Sequence, residues 1–440
     1  MMELTILGGA GEHGRSSYLL QQGEQSLLLD YGVKKEGDGQ YPITPDIDEM
    51  VASLQTVFLS HAHEDHCIAL PLLYKHGYAG DVWTTRATVG QLPAYFEAWK
   101  KYTDHRSATR PYDDEDQQRI QFRYLEDIAP PGSWSPLLPH LSVCWGRAGH
   151  LPGSIWLALC WHDKYIFFSG DYTSESQLLA ADRPLHQTRL ISKTQTIPGI
   201  LPDLDMAIID AAYGVDPDHQ DNKLTQLKRH IDETLRQQGS VMLPVPVYGR
   251  GQELMLWASE EYPNTPLLVE AGLLNNLRSF TADTYWLHSQ ACARIERLLQ
   301  HPLLYVMDDE LSRTTLPAQY QQFILFTDDG MMQSVKAQQH YERIANNEHN
   351  AVIFTGHLAH GCFGRRLLLD TEREGCKVYY VRYKVHQGLP DVRRMLLDLK
   401  SPPALLVHAT KSRTDGLALR LEQEGFHRIH SLLPEDKIQF

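Results

Sequence analysis

The sequence predicts an α/β fold, because apolar runs of strand length alternate with helically spaced apolar residues along most of its 440 residues. The helical spacing is clearest at 70–73 and at 224–235, and Gly77 and Gly239 are placed to end these two helices. The N-terminal residues are read as a first strand and a turn. Further strands are predicted at 26–29, 56–59, 141–144, 155–160, 165–168, 206–209, 241–245, 323–326, 352–354, 378–381 and 405–407.

The composition is that of a soluble globular protein long enough for two or three domains, with 42% hydrophobic and 22% charged residues. Neither a membrane span nor a secretion signal is expected from the apolar runs. The formal net charge of −14 argues against bulk, charge-driven binding of nucleic acid, although a cation-lined active site stays compatible with it. The six cysteines form no C-x-x-C pair, which favours a reducing cytoplasm.

Two stretches are predicted to be connectors or insertions. Residues 101–120 are strongly polar, and residues 181–205 contain three prolines and show no clear period. We interpret the second stretch as the boundary between two α/β units.

A histidine-rich loop directly follows the predicted strand at 56–59. His61 and His63 are two residues apart at an extended strand end and therefore project to the same side, where both are able to bind one cation. Asp65 and His66 follow at the start of the next helix and are able to serve a second cation. The alternative is a polar loop that is rich in histidine by chance.

Other strand ends carry residues of the same types. His150 lies in a glycine-flanked turn, Asp171 ends one strand and is able to bridge two cations, and His408 ends another. Asp30 ends the strand at 26–29 and is placed to hold a ligand imidazole by its other nitrogen. Taken singly, an aspartate at a strand end is more often a turn former and a lone histidine more often a packing residue.

Taken in order, Asp30, the His61–His66 loop, His150 and Asp171 resemble the four signature motifs of the metallo-β-lactamase superfamily. The resemblance extends to the β-CASP nucleases, whose motifs A, B and C are similar to the sequence around Asp210, His386 and His408. The segments 246–253 and 354–366 also resemble that family. In pattern, the chain is most similar to the bacterial and archaeal β-CASP ribonucleases and to the nuclease subunit of the cleavage and polyadenylation factor.

This resemblance implies a four-layer αβ/βα metallo-β-lactamase fold with an inserted α/β β-CASP cap domain. The implied domains are 1–200 and 376–440 for the metallo-β-lactamase part and 201–375 for the cap, with the metals in the cleft.

The resemblance also implies two zinc ions, although the same donors accept manganese. The implied ligands are His61, His63 and His150 for one ion, Asp65, His66 and His408 for the other, and Asp171 between them. Asp65, Asp210 and His386 are the implied catalytic residues, with His386 as a general acid kept protonated by Asp210. Phosphate contacts are expected from Arg250, Arg365 or Arg366, and from Lys384.

Single-stranded RNA is the expected substrate, because motif C has histidine in the RNA branch of the family and valine in the DNA branch. The resemblance also implies a homodimer, because relatives in the family often dimerise, and the lack of a long apolar run predicts no membrane contact. Three departures from the family pattern, at Asp329, His357 and around Lys384, leave the substrate open. The competing hypotheses are a DNA nuclease, a hydrolase of small thioesters, lactones or phosphoesters, and a catalytically silent binding subunit.

Overall fold

The computed structural model describes residues 1–186 and 200–440, which form two compact units. The first unit contains residues 1–174, 180–217 and 386–440, and the second contains 175–179 and 218–385. These boundaries differ from the expected ones at 200 and 375. The reason lies in strand pairing: the strand at 206–210 pairs within the first unit, and the strand at 377–380 pairs within the second.

The first unit contains two seven-stranded sheets. In the first sheet the strand order is β22-β1-β2-β3-β4-β5-β6. Its strands are β1 (Glu3–Gly8), β2 (Ser17–Gln22), β3 (Gln25–Leu29), β4 (Leu54–Phe58), β5 (Asp81–Thr84), β6 (Gln121–Tyr124) and β22 (Lys437–Gln439). The strands from β3 to β6 pair in parallel, so their carboxyl ends lie at one edge of the sheet.

The second sheet of this unit has the order β21-β20-β13-β10-β9-β8-β7. Its strands are β7 (Ser135–Leu138), β8 (Leu141–Arg147), β9 (Ile155–Trp161), β10 (Lys164–Phe168), β13 (Met206–Asp210), β20 (Ala404–Val407) and β21 (Ile429–His430). A two-residue parallel pair joins β11 (Leu185–His186) to β12 (Ile200–Leu201).

Helices cover the outer faces of both sheets, and the inner faces meet. Tyr18 on β2 packs against Phe168 on β10 at 5.6 Å between ring centroids. Separate apolar clusters join the first sheet and the second sheet to their own helices, which gives the four layers that the family resemblance implies. The helices of this unit are α1 (Ile47–Ser53), α2 (Glu64–Cys67), α3 (Leu70–Lys75), α4 (Arg86–His105), α5 (Asp114–Gln118), α13 (Leu389–Asp398) and α14 (Lys411–Gln423).

The second unit is built on one sheet in which all strands pair in parallel. The order is β16-β15-β17-β14-β18-β19. The strands are β14 (Val241–Val245), β15 (Leu267–Glu270), β16 (Leu304–Met307), β17 (Ile324–Asp328), β18 (Ala351–Phe354) and β19 (Lys377–Tyr380). The helices are α6 (Gln220–Arg236), α7 (Arg250–Glu261), α8 (Ala271–Phe280), α9 (Ala291–Leu299), α10 (Glu310–Gln319), α11 (Val335–Ile344) and α12 (Phe363–Leu369).

Every strand predicted from the apolar runs coincides with a strand of the structure, and both predicted helices are present. The polar stretch 101–120 is not a plain connector. Helix α4 extends into it, because the buried side of this helix continues at helical spacing from Leu92 to Thr103. Helix α5 follows within the same stretch. Of the second expected connector, 181–205, residues 187–199 lie outside the described residues. Within 1–186 and 200–440, no helix is both long and apolar enough to cross a membrane.

Candidate metal centre

Loops at the carboxyl ends of strands from both sheets of the first unit bring the expected ligands together. The loop after β4 carries His61 and His63, and α2 begins directly after it with Glu64. His150 lies between β8 and β9, Asp171 follows β10, and His408 follows β20. Two of the groups whose ligand atoms lie within 4.8 Å of one another are His61, His63, His150 and Asp171, and Asp65, His66 and His408. Asp171 and His408 form a further group of this kind with His386.

In the first group three imidazole nitrogens converge. Nδ1 of His63 lies 3.1 Å from Nε2 of His61 and 3.0 Å from Nε2 of His150. His150 reaches this position because Gly149 turns the backbone at φ +72°, where a Cβ would approach the carbonyl oxygen of Thr173 to 2.2 Å. Glycine is therefore required at this turn.

The two carboxylate oxygens of Asp171 face different groups. Oδ2 lies 3.4 Å from Nε2 of His61 and 3.5 Å from Nε2 of His150. Oδ1 lies 3.4 Å from Nε2 of His66 and 3.7 Å from Nδ1 of His408. The carboxylate of Asp171 thus faces both groups at once, and its role as a bridging ligand stays a prediction.

Asp65 completes the second group. Its Oδ2 lies 3.8 Å from Nε2 of His66 and 3.8 Å from Nδ1 of His408. Among the described residues, the buried Nδ1 of His408 has no hydrogen-bond partner. Because an orphaned nitrogen at 8% exposure is costly, a cation at this point would supply the missing interaction.

The electrostatics of the first group favour the forms that bind cations. Burial, reinforced by neighbouring imidazoles, lowers the pKa of His61 and His63 well below the usual value, so both rings are neutral. Burial opposes ionisation of Asp171, but the surrounding histidines lower the pKa of its carboxyl well below the usual range. Neutral imidazoles and an ionised carboxylate are the donors that divalent transition metals take.

The pKa of His66 is shifted in the opposite direction from those of His61 and His63. Burial opposes its protonation, yet the carboxylates of Asp171, Asp65 and Asp30 together raise its pKa well above the usual value. A cation bound at Nε2 would replace a proton there, so uptake of metal is expected to release a proton. With these nitrogen and oxygen donors, the residues fit a centre for two divalent cations.

Asp30 orients two of the imidazoles, one of them through Ser60. Nδ1 of His66 donates to Oδ2 of Asp30 at 2.6 Å. Ser60 donates its hydroxyl to the same oxygen at 2.7 Å and its backbone N–H to Oδ1 at 2.7 Å. Because Ser60 donates its only hydroxyl proton to Asp30, its oxygen acts as the acceptor towards His61. Nδ1 of His61 therefore donates to Ser60 Oγ at 3.0 Å. Both rings thus keep Nε2 for a cation.

Ser60 was not among the predicted site residues, although its place between the strand at 56–59 and His61 is typical of a residue buried beside the site. Three further rings that were not among the predicted site residues also lie beside the cluster, and they belong to His13, Tyr95 and Tyr213. For these three the residue pattern contains no recognisable signal.

His386 lies beside both groups, directly before α13. Its Nδ1 donates to Oδ2 of Asp210 at 3.1 Å and lies 3.8 Å from Oδ2 of Asp171. Burial opposes protonation of the ring, but the two carboxylates raise its pKa above the usual value. Asp210 is fully buried and also accepts the backbone N–H of Ala212 at 3.0 Å, which fixes the carboxylate that orients His386.

The second unit contains all four residues that are expected to contact phosphate, which are Arg250, Arg365, Arg366 and Lys384. Arg250 begins α7, and its guanidinium lies so close to Gly356 that a Cβ there would meet Nη2 at 1.8 Å. Arg365 donates to the carbonyl of Leu358 at 3.3 Å, and Arg366 donates to the carbonyl of Gly361.

Lys384 has a different environment from the expected one. Its side chain is fully buried, and the ammonium donates to Oε2 of Glu175 at 2.5 Å and to the carbonyl of Asp218 at 3.0 Å. A phosphate contact by this lysine is therefore not supported, because the buried ammonium is already paired with the carboxylate of Glu175.

Of the other departures from the family pattern, Asp329 has a structural explanation. Its carboxylate accepts the backbone N–H groups of Met331 at 3.1 Å and Ser334 at 2.6 Å, which orders the turn before α11. The side chain thus serves its own loop. His357 is exposed after β18.

Comparison with known families agrees with this geometry. The model of the metallo-beta-lactamase superfamily matches residues 10–213, and the model of the Beta-Casp domain matches residues 254–367. The chain therefore belongs to the metallo-β-lactamase superfamily, and within it to the proteins that carry a β-CASP domain. Divalent metal binding is a property of this superfamily, and the His and Asp groups described above are able to hold such ions.

Among similar proteins, "Probable RNase MJ4" of Methanocaldococcus jannaschii is 22% identical over 99% of both chains. "Ribonuclease TTHA0252" of Thermus thermophilus is 25% identical over 83% of this chain and 82% of its own. "Transcription termination factor FttA" of Methanococcus maripaludis is 25% identical over 82% of this chain but only 57% of its own length, so the chain spans little more than half of that relative. A crystal structure of a protein of unknown function from Enterococcus faecalis V583 shares the fold, with a TM-score of 0.56 and 13% identity over 99% of each chain.

Proposed function

We propose that this chain is a zinc-dependent ribonuclease that hydrolyses phosphodiester bonds of single-stranded RNA. The observation that carries the proposal is the position of Asp171, whose two oxygens face the two ligand groups while His386 lies 3.8 Å away. Two divalent cations beside one protonatable imidazole suit in-line displacement at phosphorus. The relatives named as ribonucleases support RNA as the substrate.

In the proposed arrangement His61, His63 and His150 hold one cation, Asp65, His66 and His408 hold the other, and Asp171 contacts both. When bound, two such cations neutralise charge on the phosphoryl oxygens and lower the pKa of a water molecule to near neutrality. Zinc is proposed because the set mixes imidazole nitrogens with carboxylate oxygens, although manganese accepts the same donors.

The chain's own contribution to the departing group is the proton on His386. Asp210 accepts from Nδ1, so Nε2 carries the proton that is free to move. We propose that Nε2 donates to the leaving ribose oxygen as the P–O bond breaks. The buried carboxylate of Asp210 stabilises the charged ring before this transfer and holds it in one orientation.

The test is incubation of the zinc-loaded protein with end-labelled single-stranded RNA and with DNA of the same sequence. RNA cleavage that stops on chelation and returns with zinc is expected. Replacement of His386 by alanine should lower kcat by about 10²- to 10⁴-fold with metal content unchanged. The exposed His427 offers a matched control, since His427→Ala removes a histidine of the same unit away from the cluster.

Several results would decide against the proposal. Cleavage of DNA alone would favour a DNA nuclease of the same family. Turnover of a small thioester or phosphoester dye without strand cleavage would favour a small-molecule hydrolase. Metal loss in His386→Ala would mean that this ring is a ligand and not the acid.

We also propose a cellular compartment and an oligomeric state for the protein. All six cysteines are free thiols, which supports a reducing compartment such as the cytoplasm. A homodimer, expected by analogy with the family, is testable by light scattering of the purified chain.

A further inference from the structure

Three ring side chains from separate parts of the first unit lie against the outer imidazoles of the metal cluster. They are His13 in the loop after β1, Tyr95 in α4 and Tyr213 in the segment after β13. Each one meets a different imidazole edge-on. The centroid distances and interplanar angles are 5.5 Å and 79° for Tyr95 with His63, 5.6 Å and 88° for Tyr213 with His386, and 6.0 Å and 84° for His13 with His408.

These rings lie at the side of the cluster that solvent reaches. The inner members His61 and His66 are exposed by only 1% and 2%, whereas the side chain of His386 is exposed by 14%. His13, Tyr95 and Tyr213 all have intermediate exposure. A substrate that approaches the cluster from solvent would therefore meet them.

The backbone fixes two of the rings to the imidazoles that they contact. Gly9 in the His13 loop accepts the backbone N–H of His408 at 2.7 Å, and Gly11 accepts that of Lys411 at 2.8 Å. Tyr213 donates its backbone N–H to the carbonyl of Gln387, the neighbour of His386, at 3.0 Å. Tyr95 lies within α4, a helix of 20 residues. The three rings thus have defined positions around the site.

We propose that His13, Tyr95 and Tyr213 bind the unpaired bases of the nucleotides on either side of the scissile phosphate. This inference rests on the proposed ribonuclease function. A planar ring stacks on any base, so these contacts select single strands with splayed bases and carry little sequence preference. With the phosphate at the cations, the attached nucleosides lie where the rings surround the cluster.

The inference separates base binding from phosphate binding. Phosphate contacts release counterions and make affinity depend on salt, whereas stacking on a neutral ring does not. Loss of the Tyr95 or the Tyr213 ring should therefore weaken RNA binding without changing the slope of affinity against salt concentration.

The experiment uses the zinc-loaded full chain and an RNA oligonucleotide whose cleavage position has been mapped, together with the same RNA made abasic at the two flanking nucleotides. His13→Ala, Tyr95→Ala and Tyr213→Ala should each raise KM for the intact RNA by roughly tenfold, with kcat and metal content close to wild type. On the abasic RNA the wild type should already show a raised KM, and the variants should add nothing further.

Two controls keep the test specific. Tyr95→Phe and Tyr213→Phe retain the ring and should recover most of the lost affinity. Tyr165→Ala removes a half-exposed ring at the start of β10, the end opposite Asp171, and should leave KM unchanged.

The possible failures are distinguishable. If the wild type cleaves no RNA, the ribonuclease function fails and this inference fails with it. Three results would overturn only the inference on base binding, provided that the wild type cleaves RNA. The alanine variants would keep the wild-type KM, would lose metal, or would raise KM on the abasic RNA as much as on the intact RNA.

Discussion

Nδ1 of His66 and Oδ2 of Asp30 are 2.6 Å apart, and neither residue is exposed by more than 2%. Through this contact, a carboxylate with no place among the ligand groups sets which nitrogen of His66 faces Asp171. Burial raises the pKa of Asp30 even though the His66 partner opposes that shift, so the two side chains depend on each other for their charge states.

Replacement of Asp30 by asparagine should weaken binding of the cation at His66 roughly 10- to 100-fold. Asp30 uses one oxygen for the Ser60 N–H and the other for Nδ1 of His66, whereas an uncharged amide offers a single acceptor oxygen. Competition with a chelator, followed by metal analysis, measures the change. Asp38→Asn replaces an exposed aspartate of the same unit and should have no effect. Unchanged metal affinity in Asp30→Asn would show that the second nitrogen does not matter here.

Gly149→Ala should disturb the turn that carries His150. The new Cβ would combine left-handed backbone strain of about 1–2 kcal/mol with a clash against the carbonyl of Thr173. We expect a lower metal content and a lower free energy of unfolding, measured by metal analysis and urea denaturation.

Gly23→Ala is the matched control, because Gly23 has φ +61° and open space around a Cβ. It should show the strain alone. If both variants lost the same free energy of unfolding and kept their metal, the clash at Gly149 would carry no weight.

Tyr383→Phe should destabilise the second unit by about 1–3 kcal/mol. The phenol of Tyr383 donates to Oε2 of the buried Glu253 at 2.6 Å. Without it, the donors left to this carboxylate among residues 1–186 and 200–440 are Ser176 and Gln177. Urea denaturation followed by hydrogen exchange in this unit measures the loss. Tyr380→Phe, at a tyrosine exposed by 39%, should be neutral, and equal stability of the two variants would contradict the prediction.

Glu270→Gln should produce a loss of stability that depends on pH. Burial favours the neutral acid, but hydrogen bonds from His340 and Arg313 and the charge of Lys336 lower the pKa of Glu270 from 4.5 to about 2. The ionised carboxylate therefore stabilises the fold fully above about pH 4.5 and progressively less as the pH falls towards 2.

At pH 7 the variant should lose up to about 3 kcal/mol relative to wild type, and this gap should narrow between about pH 4.5 and pH 3. Denaturation curves at several pH values provide the measurement. Glu310→Gln alters an exposed glutamate of the same unit and should show no gap. A gap that stays constant with pH would contradict the lowered pKa.

The proposed ligands each follow an apolar run of the sequence, and the structure brings their side chains together. Their places were predictable because a strand end and a side-chain type are both local features of the sequence. His61, His63 and Asp171 were recognisable in this way. Lys384 was misjudged because its counter-charge, Glu175, lies 209 residues earlier, and no local pattern reveals such a pairing. Which side of α4 faces the core likewise depends on packing against distant parts of the chain. Tyr95 was therefore not recognisable as a neighbour of His63.

Unit boundaries were harder to predict than strands. Composition marks a polar segment, but membership of a unit depends on which strands pair, and β13 pairs with β10 and β20. That choice is made by contacts distant in sequence, which apolar periodicity does not encode.

The wide separation of His66 and His408 in sequence has a mechanical consequence. More than three hundred residues lie between them, yet both belong to one ligand group. A cation held there would act as a reversible cross-link that ties the early part of the chain to its last strands, closing a loop that includes the whole inserted unit. Metal supply would then govern not only turnover but also how readily the first unit comes apart, since a bound ion stabilises the folded form by mass action.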